Sequence, residues 1–132
     1  GKQQRCFSYI DDCLYCLNAL AFQDNVIGEV INIGPDEDPI TINELAEACA
    51  NETGLNLDPI HHKDRPKEVK LAVCSSDKAR DLLGYSTATN MRQSVKKTAE
   101  YIRTRGTKKF QYHLPLEIIN DQTPDTWKNK LI

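Results

Sequence analysis

Thr41-Ile42-Asn43-Glu44, followed by an apolar-periodic run that ends at Gly54, constrains this chain more than any other stretch. A threonine three residues ahead of a glutamate is a capping box, in which hydroxyl and carboxylate each satisfy a backbone donor of the opening helical turn. The spacing predicts a helix from there to about Thr53, stopped by Gly54, which can turn left-handed without a Cβ clash. A longer amphipathic helix is expected over residues 91–103, with Val95, Thr98, Ala99 and Ile102 on one face. Leu14, Leu17, Ala19, Leu20 and Ala21 recur at helical spacing over residues 13–22, so that helix should be capped by Asp11 or Asp12 and mostly buried. Ser75-Ser76-Asp77 offers capping side chains for a short helix over 78–83, closed by Gly84.

Between these helices, alternating or β-branched runs read as short strands at residues 5–10, 29–33, 57–62 and 71–74. The fold class is therefore α/β, with short strands and about four helices. A chain of 132 residues supports one core of ordinary size. No long uncharged apolar run and no signal-peptide pattern appears, so neither membrane insertion nor secretion is indicated and a cytoplasmic location is expected. Seventeen basic residues against nineteen acidic ones leave a net charge of −2, which gives no general attraction to nucleic acid. Any phosphate binding must be local.

Five cysteines, at positions 6, 13, 16, 49 and 74, are an odd number spread over predicted helices and strands, which argues for reduced thiols over disulfides. Cys13 and Cys16 form a Cys-x-x-Cys pair, but no second pair completes a zinc set, and the helical reading turns both toward one buried side.

The stretch His61-His62-Lys63-Asp64-Arg65-Pro66-Lys67-Glu68-Val69 is the strongest candidate for binding. Proline fixes its own backbone angle and holds the preceding residue extended, so Arg65 and Glu68 project from a stiff turn at a set separation. A guanidinium fork suits phosphate oxygens and a carboxylate accepts from paired hydroxyls, which together describe a nucleotide sugar. The plain alternative is a solvated turn with a local Arg65–Glu68 ion pair. His61 and His62 stand beside the turn; adjacent residues of a strand face opposite ways, so at most one should reach a phosphate there.

The order of pieces adds a family. Gly1-Lys2-Gln3-Gln4-Arg5-Cys6-Phe7-Ser8-Tyr9-Ile10-Asp11-Asp12, Ile31-Asn32-Ile33-Gly34, Thr41-Ile42-x-Glu44-Leu45-Ala46, Arg65-Pro66-x-Glu68-Val69 and Ser76-Asp77-Lys78-Ala79-Arg80-x-Leu82-Leu83-Gly84-Tyr85 closely resemble the C-terminal part of extended short-chain dehydrogenase/reductases acting on nucleotide sugars: UDP-sugar 4-epimerases, 4,6-dehydratases and UDP-glucuronate decarboxylases. The resemblance covers residues 1–104, a substrate-binding part, and leaves 105–132 as a C-terminal extension expected to pack on the domain or on a partner. It implies the C-terminal portion of a Rossmann-type enzyme, in which Arg5 and Arg65 contact the diphosphate of a UDP-sugar and Glu68 holds the ribose hydroxyls. For Arg5 the plain alternative is a surface pair with Asp11 or Asp12. Cys6 stands where relatives often carry aspartate and reads as structural variation, not as a nucleophile.

The resemblance also implies NAD in the whole enzyme, yet this chain has neither a glycine-rich dinucleotide turn nor a tyrosine with lysine four residues on. The expectation is thus a piece of a longer protein, catalytically inert by itself, whose partners are the missing N-terminal Rossmann half and a second copy of the chain. In the resembled fold the 29–33 strand joins the large sheet of that half. The rival reading is a non-enzymatic protein-interaction module that docks a partner through the aromatic tail from Phe110 to Trp127.

Overall fold

A computed structural model describes residues 1–109, 111, 116 and 118–131. The order of elements is β1 (Gln4–Arg5), α1 (Ile10–Phe22), a single 3-10 turn (Asp24–Val26), β2 (Ile40–Thr41), α2 (Ile42–Thr53), β3 (Leu71–Ala72), α3 (Asp77–Leu83), α4 (Met91–Arg105) and α5 (Asp125–Lys128). The class is α/β, with a small three-stranded sheet of order β2-β1-β3. β1 pairs antiparallel with β2, Gln4 opposite Thr41, and parallel with β3, Gln4 opposite Leu71.

The capping box forms as the spacing predicts. The Thr41 N–H donates to Glu44 Oε2 at 2.7 Å and the Glu44 N–H to Thr41 Oγ1 at 3.1 Å, while Gly54 takes a φ of +70° at the far end. A second capping box, between Asn90 and Gln93, opens α4 with both bonds at 3.0 Å. The predicted face of α4 turns toward α2: Val95, Thr98, Ala99 and Ile102 line an apolar groove of about 560 Å³ opposite Leu45 and Cys49. The buried core lies elsewhere. Cys16 and Ala19 of α1 meet Ala79 and Leu83 of α3, with Val26 and Tyr85 closing the cluster and Leu20, Ile31, Ile33 and Leu82 packed around it.

Several expectations need correction. The strand expected at 5–10 is confined to Gln4–Arg5, because α1 begins at Ile10, three residues before the expected helix. Asp11 and Asp12 therefore sit inside the first turn, and Tyr9 is the N-cap, without a side-chain bond. Residues 29–33 form no strand: β-branched residues favour an extended backbone, but a strand needs a ladder partner, and none lies beside them among the described residues. The expected strand at 57–62 is loop for the same reason, and that at 71–74 contracts to β3. The α1 helix, expected to be mostly buried, buries only Cys16 and Ala19; Leu14, Leu17 and Phe22 are exposed. The short helix begins at Asp77, where the Ser75 hydroxyl accepts the Asp77 N–H at 3.1 Å and Ser76 makes no side-chain cap bond.

The extension contributes α5. The expected packing of the aromatic tail through Phe110, Tyr112 and Leu114 lies outside the described residues. No helix among the described residues is long and apolar enough to cross a membrane.

Freed from capping, Asp12 ties α1 to the segment ahead of α4: its carboxylate accepts from the Ala88 N–H at 3.1 Å, the Thr89 N–H at 2.8 Å and the Thr89 hydroxyl at 2.9 Å. Thr89 is buried, so removing this acceptor strands donors that water reaches poorly. Asp12→Ala is expected to lower stability by about 2 kcal/mol in urea unfolding, whereas Asp11→Ala, on the exposed side of the same turn, should change it little.

Candidate binding site at the Arg-Pro turn

Arg65, Pro66, Lys67 and Glu68 make a tight turn closed by the Glu68 N–H donating to the Arg65 carbonyl at 3.3 Å. Lys67 holds a φ of +57°, the left-handed conformation that a turn with proline at its second position often demands of its third residue. The reversal brings the two ends of the turn face to face. Arg65 Nη2 donates to Glu68 Oε1 at 2.5 Å and Arg65 Nε bonds Oε2, a bidentate fork.

The central strand delivers the second guanidinium. The parallel register of β1 on β3 carries Arg5 alongside the chain leaving the turn, where its Nη2 donates to the Val69 carbonyl at 2.8 Å and its Nη1 to the Gln4 carbonyl at 2.7 Å. Arg5 Nη2 lies 3.8 Å from Glu68 Oε1. The structure thus brings Arg5, Arg65 and Glu68 into one cluster, and Arg5 pairs there and not with Asp11 or Asp12. Gln3 also joins, its Nε2 donating to Glu68 Oε1 at 3.4 Å. Sequence reasoning passed over Gln3, although residues two apart on a strand share a face and the Gln3/Arg5 spacing carries that signal.

Two cations around one carboxylate leave a net positive charge. The Arg65 hydrogen bond, more than any other contact, holds the Glu68 carboxyl below the usual range, with the Arg5 and Lys70 charges acting the same way, while Glu68 in turn pushes the Arg65 guanidinium up. Lys70 itself pairs with Asp64 at 2.5 Å.

A second charged cluster was not foreseen. Arg80 of α3 binds Asp36 through both terminal nitrogens, Glu37 at 3.3 Å and Asp77 at 3.0 Å, while Asp36 accepts the Ser76 N–H at 2.7 Å. The Arg80 hydrogen bond drives the Asp36 carboxyl far below its usual range. These contacts fasten the 34–37 loop to α3, and the buried Ser76 hydroxyl completes the joint by donating to the Gly34 carbonyl. Cys6 stands beside this loop, its Sγ 3.5 Å from the Glu37 carbonyl; burial first, then Glu37 and Asp36, push its thiol up, which disfavours the thiolate a nucleophile requires. Burial likewise raises Cys13 and Cys16, of which Cys16 is buried and Cys13 half-buried.

Beside the turn, the 61–65 loop and the C-terminal extension enclose a polar cleft of about 360 Å³. Both His61 and His62 line it, contrary to the alternation expected of a strand, because that segment is loop and its side chains need not alternate.

The fold is an α/β unit that matches the C-terminal part of Rossmann-type epimerases. No family model matches the chain. It is 27% identical over 101 residues to UDP-glucuronate 4-epimerase of Thermodesulfobacterium geofontis, an alignment covering 76% of this chain and 31% of that protein. It is 29% identical over 109 residues to UDP-N-acetyl-alpha-D-glucosaminuronate decarboxylase of Bacillus cytotoxicus, covering 78% and 33%. The crystal structure of UDP-glucuronic acid 4-epimerase from Bacillus cereus, in complex with UDP-glucuronic acid and NAD, superposes with a TM-score of 0.71 at 31% identity, covering 80% of this chain and 34% of that one. The chain spans about a third of the length of the relatives it matches. In sequence and fold it corresponds to the C-terminal part of the extended short-chain dehydrogenase/reductases.

A carboxyl held down by its partner binds its proton less tightly when folded than when unfolded, so the stability it lends is full above the unfolded value and is lost as pH falls through the folded one. Arg65→Ala is expected to move the Glu68 titration up toward the ordinary carboxylate range, read by side-chain carboxyl NMR. Arg5→Ala should move it the same way by less, since the Arg65 contact outweighs the Arg5 charge.

Proposed function

We propose that this chain holds the nucleoside diphosphate of a nucleotide sugar, a UDP-sugar, within an NAD-dependent sugar-nucleotide epimerase, dehydratase or decarboxylase. The observation that carries the reading is the meeting of Arg5 and Arg65 at Glu68, one from a strand and the other from a turn distant in sequence, in a chain whose overall charge is negative. In this reading Arg5 and Arg65 contact the diphosphate and Glu68 accepts from the ribose hydroxyls.

The ion pair itself makes the exchange cheap. The Arg65 side chain is 44% exposed although that of Glu68 is only 13%, so the fork is open to water on its guanidinium side, where a competing anion can reach it. A diphosphate offers the same guanidinium fork more charge and more acceptors than one carboxylate does. Glu68, released from the fork and still ionised at neutral pH, then has its oxygens available for hydroxyl donors. Arg5 keeps its backbone anchors at Gln4 and Val69, so its guanidinium is pre-oriented and loses little entropy on binding.

These residues position a substrate and make or break no bond. NAD would accept and return hydride in the whole enzyme, but the residues here do not fit it: the strands have two residues each and the glycines at 28, 34, 54, 84 and 106 are scattered, so none builds a glycine-rich strand-turn-helix. The cofactor would be held by other parts of the polypeptide. That nucleotide-binding half is also the partner we assign to the bare apolar face of Leu14, Leu17, Phe22, Ile27 and Val30, with unpaired residues 29–33 adding to its sheet. Without that cover, the 132-residue chain is expected to self-associate in light scattering, and a clean monomer at high concentration would count against the assignment.

Calorimetry with UDP on the full chain as its gene encodes it tests the binding role. Arg65→Ala is expected to weaken UDP by about 1.5–3 kcal/mol, the worth of a charge-assisted contact, and Glu68→Gln to weaken uridine as well as UDP. Unchanged UDP affinity in Arg65→Ala would remove Arg65 from the site.

A further inference from the structure

We infer that the C-terminal extension forms the outer wall of the nucleotide-sugar site, with Lys63 as a further phosphate-contacting residue and Thr126 and Asn129 as hydrogen-bonding residues facing it across the cleft. This rests on the binding role proposed for Arg65 and extends that site past the segment shared with the relatives.

Arg65 belongs to both places at once. Its guanidinium grips Glu68, and the residue also lines the cleft between the 61–65 loop and the α5 region. A ligand phosphate seated on Arg65 therefore lies at the cleft mouth. The volume, about 360 Å³, is in the range of small-molecule sites, and both of its walls carry polar residues.

The charges favour an anion. Asp64, the carboxylate of the loop wall, is already neutralised by Lys70 at 2.5 Å, which leaves Lys63 and Arg65 as that wall's cations. The Lys63 ammonium makes no ion pair with any described residue, so nothing there needs to be displaced before it meets a phosphate. Facing it, α5 and the residues after it present a hydroxyl at Thr126 and an amide at Asn129, neutral groups able to donate to phosphate oxygen without repelling it. Among the described residues, Asp125, at the start of α5, is the one carboxylate the extension adds to the cleft lining.

The wall is built from local bonds that hold it in one shape. The Trp127 and Lys128 N–H groups both donate to the Pro124 carbonyl at 3.0 Å, and the Leu131 N–H donates to the Thr126 carbonyl at 3.0 Å. Thr126 and Asn129, three residues apart, share one side of this compact turn.

The test is titration calorimetry of the full chain with UDP and with uridine, using Lys63→Ala and the double variant Thr126→Ala/Asn129→Ala, with Arg65→Ala alongside. All the substituted side chains sit at the surface or the cleft, and far-UV circular dichroism checks that each variant keeps its helices. Lys63→Ala is expected to weaken UDP roughly tenfold and the double variant about fivefold, with uridine, which has no phosphate, unchanged in both. Wild-type UDP affinity in Lys63→Ala and in the double variant, with Arg65→Ala still weakened, would overturn the wall and leave the Arg65 site standing. An equal loss for uridine and UDP would overturn the phosphate assignment of Lys63. Failure of the wild type to bind UDP would overturn both readings together.

Discussion

The two-residue strand Gln4–Arg5 is the joint on which the arrangement depends. Its backbone pairs on one edge with Ile40–Thr41, which leads directly into the capped helix α2, and on the other with Leu71–Ala72, which leads out of the Arg-Pro turn. The flanking bonds, Gln4 N–H to the Lys70 carbonyl at 2.7 Å and Ile42 N–H to the Gln3 carbonyl at 3.1 Å, extend that hold by a residue on each side. So short a strand gains little from its own ladder; what it provides is register. With Arg5 fixed beside Val69, the guanidinium can reach Glu68, whereas a slip by one residue would turn Arg5 to the opposite face of the sheet.

Around that joint the molecule divides its stabilising interactions by kind. The buried core is small and made largely of small side chains, Cys16, Ala19 and Ala79, with Leu83 and Tyr85 the bulkiest members. Polar fastenings do much of the rest: Asp12 on Thr89, Asp36 on Arg80 and Ser76, and Arg103 on Glu52 at 2.9 Å. Every buried side-chain nitrogen or oxygen among the described residues has a hydrogen-bond partner, as a structure that relies on such contacts requires. The apolar residues that a core of ordinary size would use lie instead on the surface of α1 and the 27–30 segment.

The site has the opposite character from these fastenings. Arg80 is multiply bonded, to Asp36, Glu37 and Asp77, which suits a joint that stays shut, whereas the more exposed Arg65 side chain bonds, among the described residues, only Glu68. An ion pair of the second kind is exchangeable, as the proposed binding role requires. The C-terminal extension adds a polar wall beside it, in a region where neither periodicity nor the family pattern offered guidance.

Local chemistry settled what could be read directly: the Thr41/Glu44 capping box, the glycine stops at 54 and 84 and the apolar face of α4 appear where the spacing put them, because each depends on residues a few positions apart. The Arg65–Glu68 pairing was legible for the same reason, being set by a proline turn four residues long. The strands at 29–33 and 57–62 were not, since β-branched composition expresses a preference for extended backbone while a ladder depends on a partner distant in sequence or outside the chain. Arrival of Arg5 and Gln3 at Glu68, capture of Arg80 by Asp36 and the facing of Lys63 by Asn129 join residues separated by 40 positions or more, and only the packed chain brings such groups together.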